Sequence, residues 1–178
     1  MNSYKVLKKQ LFSLNEYSII PIRYEDRLSI LKWRNEQIYH LRQDKLLTKN
    51  DQDYYFKNVV NKLFNMQRPN QLLFSFLKEN LCVGYGGLVH INWVRKNAEI
   101  SFVMDTELEK KYFSIHWRIF LKLIEQVAFI DLNFHKIFTY AFDLRPHLYE
   151  ELEAQNFTKG KSFLDSSNNK IVIHSKYN

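Results

Sequence analysis

The chain has 178 residues, of which 46% are apolar, and this suits one compact domain with a sizeable core rather than two domains. We find no apolar run long enough for a transmembrane helix or a signal peptide, so we expect a soluble cytoplasmic protein without a membrane partner. The net charge of +7 favours anionic ligands, but the lysines are dispersed and no RNA-binding motif is present, so a nucleic-acid partner is not expected.

The only cysteine, Cys82, excludes an intrachain disulfide and a cysteine-cluster metal site. It lies in an apolar, strand-like run, where a buried and inert thiol is the usual case. We therefore expect neither a metal ion nor a cysteine nucleophile.

The first half of the chain predicts a strand, two helices and a meander of strands. Residues 17–23 read as a strand, and a helix runs from about residue 24 to residues 35–40. Thr48 and Asp51 have the spacing of a capping box and predict the start of a second helix. Strand-like runs over 72–79, 81–94 and 98–105 follow, joined by turns at 79–80 and 95–97.

The second half predicts a long helix over about 115–132, separated from the preceding strand by a charged loop. A strand over 136–142, a helix opened by Pro146 and a terminal hairpin complete the chain. The fold class is therefore α+β, in a single domain over residues 1–178 with a core at about 17–175.

Several short motifs occur in the same order as in a known superfamily. They are Arg23-x-x-Asp26 with Trp33-Arg34-Asn35, then Val83-Gly84-Tyr85-Gly86-Gly87-Leu88, Asn97-Ala98-Glu99-Ile100 and Leu132-x-x-His135-Lys136-Ile137. Together they resemble the Gcn5-related N-acetyltransferases, and most closely the branch that acetylates nucleotide-linked amino sugars and ribosomal-protein N-termini. The resemblance implies a three-layer fold with a mixed, mostly antiparallel sheet of about seven strands flanked by about four helices. It also implies acetyl-CoA as a cosubstrate.

One part of the family pattern is missing. In the family, a glycine-rich loop and the helix that follows it hold the pyrophosphate of acetyl-CoA. Here the loop aligns with residues 112–117, YFSIHW, and every expected glycine is replaced by a bulkier residue. Either the loop takes another path and binds through side chains and the helix end, or the cofactor site is lost. We expect the first, because the rest of the layout is retained.

The resemblance and the local charges together give a set of expected cofactor contacts. The segment 102–104 matches the backbone that binds the pantetheine arm, and the N–H of Val103 is the expected donor to the oxyanion. For Lys110 and Lys111 a solvated turn is the alternative, and for Arg145 it is a pairing with Asp143. The expected contacts are Phe102, Val103, Met104, Lys110, Lys111, Ser114, Ile115, His116 and Arg145.

Three residues are expected to carry the chemistry of direct acetyl transfer. Glu99 is the candidate base that deprotonates the amine, with a cross-strand lysine pair as the alternative, and His90 is a second candidate base. Tyr149 is the candidate acid for the leaving thiolate, although the family's tyrosine position falls on Leu152. A structural role is the alternative for His90 and for Tyr149.

The acceptor is expected to be the primary amine of a small molecule, such as a nucleotide-linked amino sugar. Arginines can hold a phosphate or carboxylate and aromatic rings can stack on a sugar or base. A non-catalytic binding protein and a protein N-terminal acetyltransferase are the alternatives, and the aromatic-rich strands would permit a homodimer. The expected substrate contacts are Trp33, Arg34, Asn35, Arg42, Tyr85 and Trp93.

Overall fold

The computed structural model describes residues 2–145 and 147–178, apart from the side chain of His147. A single sheet forms the centre of this part of the chain, and helices pack against it. The helix start predicted at Pro146 lies outside the described residues.

The strands are β1 (Phe12–Leu14), β2 (Tyr17–Pro21), β3 (Leu72–Lys78), β4 (Leu81–Asn92), β5 (Asn97–Met104), β6 (Lys136–Phe142), β7 (Thr158–Lys159), β8 (Phe163–Leu164) and β9 (Lys170–Tyr177). Their order is β1-β2-β3-β4-β5-β6-β9-β7, with β8 also paired to β9. Every pairing is antiparallel except that of β5 with β6. The predicted mixed sheet is confirmed. The nine strands of the described residues exceed the predicted seven because β1 is an additional strand of three residues and the first strand of the predicted terminal hairpin is divided into β7 and β8, of two residues each.

Four helical stretches accompany the sheet in the described residues. They are α1 (Arg27–Glu36), α2 (Lys49–Tyr55) with its continuation through a π-turn (Phe56–Val60) into α3 (Asn61–Leu63), α4 (Thr106–Glu125) extended by a π-turn (Gln126–Asp131), and α5 (His147–Ala154). The capping box predicted at Thr48 and Asp51 is present, with each side chain accepting from the other residue's backbone N–H. These reciprocal bonds satisfy donors that the first helical turn would otherwise leave unpaired.

Helix α4 begins about nine residues earlier than the sequence pattern predicted. Asp105 is its N-cap, and the Asp105 carboxylate accepts from the N–H groups of Glu107 and Leu108. There is thus no charged loop between β5 and the helix, and residues 112–117 lie within the helix. The prediction of a helix tip near residue 115 was wrong.

The two faces of β5 pack against different helices. Phe102 stacks on Trp117 and Phe120 of α4, with ring centroids 5.3 Å and 4.4 Å apart. Side chains alternate along a strand, so Glu99, Ser101 and Val103 lie on the opposite face, where α1 contacts β5. Strand β5 therefore separates two layers of the molecule.

Candidate active site

A cleft opens where β5 and β6 separate. The strands pair only between Asn97–Glu99 and Lys136–Phe138, so their carboxyl-terminal halves stand apart. Residues of both strands line the gap, together with α4, α5 and the segment that follows α1. An extended ligand can lie along such an open strand edge and pair with its backbone.

A second pocket lies on the other side of β5, between α1, α2 and β4. Apolar and aromatic residues form most of its wall, and Arg34, Asp51, Gln52, Gln71 and the hydroxyls of Tyr55 and Tyr85 contribute polar groups. Ser101 of β5 lines both this pocket and the cleft. The two cavities therefore meet at β5, an arrangement that suits a donor on one side and an acceptor on the other. We call the second cavity the α1 pocket.

Glu99 lines the cleft two residues before Ser101 and is buried, with 4% of its surface exposed. One carboxylate oxygen pairs with Arg42 Nη2, and the other lies 2.8 Å from His90 Nδ1. The side chain of His90 is 64% exposed, so it connects the buried carboxylate to solvent. The structure thus brings together three predicted residues, Glu99, His90 and Arg42. Arg42 and His90 take the place of the lysine partner considered as an alternative.

Arg34 projects into the α1 pocket, and the partners of its guanidinium are neutral. Its Nη1 donates to Tyr85 Oη at 2.8 Å and its Nε donates to Gln43 Oε1 at 2.9 Å. Among the described residues, no carboxylate lies within ion-pair distance of this guanidinium. Arginine remains charged at physiological pH, so the pocket presents a cation that has no direct carboxylate partner, while Asp51 lines another part of the same pocket.

Tyr149 lies in the wall of the cleft, as expected of a proton donor to the leaving thiolate. Its hydroxyl donates to Asp143 Oδ1 at 2.6 Å, and Asp143 also pairs with Lys170 at 2.6 Å. Burial raises the pKa of the Tyr149 phenol, and the hydrogen bond to Asp143 adds to the rise. The phenol is therefore protonated at neutral pH, and it must rotate away from Asp143 to protonate a ligand.

The backbone of β5 offers donors to the cleft at alternate residues. Asp105 N–H donates to the carbonyl of Val83 on β4 at 2.9 Å. Because N–H groups alternate between the two edges of a strand, Val103 N–H points to β4 and Phe102 N–H points to the cleft. Phe102 also lines the cleft, whereas Val103 does not. The N–H group that faces the cleft is thus that of Phe102 rather than that of Val103, where the sequence analysis expected the oxyanion donor.

Two other side chains lining the cleft carry polar atoms that have no hydrogen-bond partner in the described structure. These atoms are Trp117 Nε1 and Thr139 Oγ1, and both are buried. An unpaired buried polar atom costs about 1–3 kcal/mol. A ligand with amide groups that reached these atoms would recover that cost. The pantetheine arm of acetyl-CoA has two amides, and this part of the cleft fits it.

Arg145 and His40 stand at the same cleft. Arg145 Nη1 donates to Glu109 Oε1 at 2.7 Å, and burial lowers the pKa of the Arg145 guanidinium. Burial and the nearby Arg145 lower the pKa of the His40 imidazole to about 3, so His40 is neutral at physiological pH. The predicted position of Arg145 at the cleft is supported, but its carboxylate partner is Glu109 rather than Asp143.

Most of the residues expected to hold the pyrophosphate lie away from the cleft. Lys110 and Lys111 are exposed on α4, where Lys110 pairs with Glu107 at 2.6 Å. Ser114 and Ile115 are exposed one turn later, and His116 is buried against Tyr17 and Phe76. The reason is the early start of α4, which places these residues within the helix rather than at its end. Met104 is also outside the cleft, and its carbonyl accepts from Gln37 Nε2 at 2.8 Å.

Three of the expected substrate contacts have structural positions instead. Trp33 is buried and donates from Nε1 to Asp105 Oδ2 at 3.0 Å, and Trp93 donates to the carbonyl of Pro69 at 2.8 Å. Asn35 bonds the backbone of Leu47 through both ends of its amide. None of the three lines the α1 pocket. The sequence could not show that Arg34 and Tyr85 line the α1 pocket while these three residues do not, because all five are polar or aromatic residues in the predicted elements.

The sequence analysis also missed residues that the structure places at the cleft. Tyr140 lines it, with the Arg42 guanidinium 4.8 Å from its ring centre. The N-cap Asp105 could have been found from the Asp-Thr-Glu-Leu-Glu run, because acidic residues in a first turn are a helix-start signal. Nothing local marks Thr139 or Tyr140, which belong to an ordinary strand.

Comparison with known proteins gives a family match and several structural matches. A family model described as an acetyltransferase (GNAT) domain matches residues 19–160. The structure of spermidine N-acetyltransferase from Vibrio cholerae in complex with CoA and spermine has a TM-score of 0.77 and 14% sequence identity, over 92% of this chain and 96% of that chain. A dodecameric structure of spermidine N-acetyltransferase from the same organism has a TM-score of 0.71 and 16% identity, over 92% and 95% of the two chains. No curated protein matches the sequence significantly.

Two searches of the described residues bear on other kinds of site. No helix there combines the length and hydropathy that crossing a membrane requires. In the same residues, no cluster of three or more histidine, cysteine, aspartate or glutamate side chains could hold a metal ion.

Proposed function

Since the chain belongs to the acetyltransferase (GNAT) family and is an acetyl-CoA-dependent N-acyltransferase, we propose that its acceptor is a small primary amine that also carries a phosphate or carboxylate. A nucleotide-linked amino sugar is the acceptor class that fits best. The proposal rests on Arg34, because a guanidinium with only neutral partners in a largely apolar pocket has the charge and geometry to bind an oxyanion bidentately.

The arrangement of the two cavities suggests where each substrate would bind: the acceptor in the α1 pocket and the acetyl donor in the cleft. An amine bound in the α1 pocket would reach the cleft at Ser101, next to Glu99. Glu99 would take the proton of the ammonium, directly or through one water, and His90 would pass it to solvent. Phe102 N–H would stabilise the oxyanion that forms on the acetyl carbonyl. Tyr149 would then protonate the departing thiolate.

A polyamine is a less suitable acceptor for this pocket, although the similar Vibrio cholerae structures are of a spermidine N-acetyltransferase. Polyamines are polycations, and Arg34 would repel them over the short distances inside the pocket. The identity to those structures is only 14% and 16%, so the likeness carries the fold and leaves the acceptor open.

An acceptor panel with a matched pair of variants tests the proposal. Amino-sugar phosphates, nucleotide-linked amino sugars and amino acids should be acetylated with a higher kcat/KM than spermidine or peptides with free N-termini. Replacing Arg34 with Gln should raise KM for the anionic acceptors by about 10- to 100-fold, since a hydrogen bond to a charged group contributes about 1.5–3 kcal/mol. The kcat should change little, because Arg34 holds a part of the acceptor that does not react.

The control is Lys32→Gln, which removes one positive charge from the same helix at an exposed position outside the pocket. Its kinetics should match those of the unmodified enzyme. A preference for polyamines or peptides, or an unchanged KM in Arg34→Gln, would exclude an anionic acceptor. Homodimer formation and a cytoplasmic location remain part of the proposal, and sedimentation would test the first.

A further inference from the structure

We infer that Asp105 occupies the position at the start of α4 where this family binds the donor's diphosphate, so that the enzyme recognises acetyl-CoA mainly through its pantetheine arm. This inference concerns the donor and relies only on the acyltransferase activity, so it stands whatever the acceptor is.

The hydrogen-bond donors at the start of α4 are already used by the protein itself. Asp105 Oδ1 accepts from Glu107 N–H at 2.9 Å and from Leu108 N–H at 3.0 Å. Free N–H groups in a first helical turn are what bind a phosphate at a helix end. Here an aspartate carboxylate holds them with the same charge-assisted geometry. A diphosphate would have to displace this carboxylate.

The charge around the start of α4 also opposes a diphosphate. Besides Asp105, the carboxylates of Glu36, Glu107 and Glu109 lie on this first turn or next to it, and Glu36 accepts from Thr106 Oγ1 at 2.6 Å. Two cations near the start of α4 are engaged with these acids, since Lys110 pairs with Glu107 and Arg145 pairs with Glu109. The positive end of the helix dipole is thus neutralised by fixed negative charge.

Helix α1 holds Asp105 in place. The second carboxylate oxygen of Asp105, Oδ2, accepts from Nε1 of the buried Trp33 at 3.0 Å. Gln37, which is 2% exposed, donates to Met104 O at 2.8 Å and to Thr106 Oγ1 at 3.1 Å, on either side of Asp105. Moving the carboxylate aside would leave a buried indole N–H without a partner. The packing of α1 on the junction between β5 and α4 therefore keeps the Asp105 carboxylate on the N–H groups of the first turn of α4.

The part of the cleft deeper between the strands has the opposite character. The edge of β5 beyond Glu99 is not paired with β6, and Trp117 Nε1 and Thr139 Oγ1 lack hydrogen-bond partners in the described structure. These groups can form hydrogen bonds with the amides of a pantetheine arm. The protein thus recognises the uncharged pantetheine arm of acetyl-CoA rather than its charged diphosphate.

Calorimetry of the full chain with CoA and with pantetheine, without acceptor, tests the inference. We expect the two dissociation constants to differ by less than about tenfold, which corresponds to about 1.4 kcal/mol. The affinity for CoA should depend only weakly on salt, because few phosphate contacts are made. Binding of CoA more than about 100-fold tighter than pantetheine would overturn the inference, and so would failure of pantetheine to bind.

A variant tests the role assigned to Asp105. Asp105→Ser keeps a good N-cap but removes the negative charge. It should tighten CoA binding by at least about fivefold and leave pantetheine binding unchanged. Glu16→Gln is the control, because it removes one negative charge in the exposed turn between β1 and β2. Equal effects of the two variants on CoA, or no effect of Asp105→Ser, would refute the assignment. The comparison of ligands on the unmodified chain stands even if the variant does not fold.

Discussion

Glu99 lines the cleft two residues before Ser101, the residue of β5 that lines both cavities. Its carboxylate is buried next to Arg42, and it contacts the exposed His90. A general base needs to reach the ammonium proton and then to release that proton to solvent. In the proposed mechanism the Glu99–His90 pair would meet both requirements, because Glu99 lines the cleft and His90 is exposed to solvent.

Glu99→Gln should lower kcat by about 100- to 10,000-fold, the usual contribution of a general base. Binding of CoA, measured by calorimetry, should change little, because the deeper part of the cleft is intact. His90→Gln should lower kcat less, since water can replace a relay at an exposed position. Equal losses of turnover and of CoA affinity in Glu99→Gln would instead assign the residue a structural role.

Gly87 determines how closely strand β4 can approach strand β3. Gly87 has a φ of +154°, and a Cβ built there would lie 1.9 Å from the carbonyl oxygen of Leu72 on β3. That oxygen belongs to the backbone of a paired strand and cannot move away cheaply. Only glycine therefore allows β3 and β4 to approach at this point.

Gly87→Ala should destabilise the protein by about 3 kcal/mol, because overpacking and backbone strain act together. Urea unfolding should show a lower midpoint with an unchanged slope. Gly160→Ala is the control, since its Cβ would lie 3.3 Å from Ile173 O and its residue is exposed. A Gly87→Ala variant as stable as the control would show that the strands can separate to accept a side chain.

Helix α4 shows why an amphipathic pattern can misplace a helix start. Its first two turns contain mostly polar residues and are largely exposed, and the side chains that stack on the sheet begin with Phe113 and Trp117. The apolar period is therefore visible only in the second half of the helix. The cap signal at Asp105, rather than the apolar stripe, marks where the helix begins.

For the whole molecule, three histidines with lowered pKa values contribute to the way stability depends on pH. The pKa of His40 is lowered to about 3, and burial lowers the pKa values of His116 and His174 as well. An unfolded histidine has a pKa of about 6.5, so below that value the unfolded state binds more protons than the folded state. The stability that neutral histidine provides is present above about pH 6.5, and it is lost as pH falls towards 3.

The melting temperature should therefore fall steadily between pH 7 and pH 4.5, measured by scanning calorimetry at constant ionic strength. His40→Asn should reduce the slope, because this variant removes one of the groups that must be kept neutral. The variant His135→Asn, at an exposed position, is the control and should keep the slope. A melting temperature that is constant over this range would contradict the assignment.

The sequence by itself determined the local elements and the fold class. Hairpin turns, the capping box at Thr48 and Asp51, and the alternation in 98–105 depend on residues that are close in the chain, so their patterns can be read directly. The resemblance of several ordered motifs then gave the family.

The site was decided only by the tertiary structure, because its contacts join residues that are distant in the chain. Arg42 and Glu99 are 57 residues apart, Arg34 and Tyr85 are 51 apart, and Trp33 and Asp105 are 72 apart. No periodicity or spacing indicates whether Trp33 or Arg34 faces the α1 pocket, since both sit in the same three-residue motif. The packing of α1 on β5 makes that choice, because it buries the indole against Asp105 and places the guanidinium in the wall of the α1 pocket.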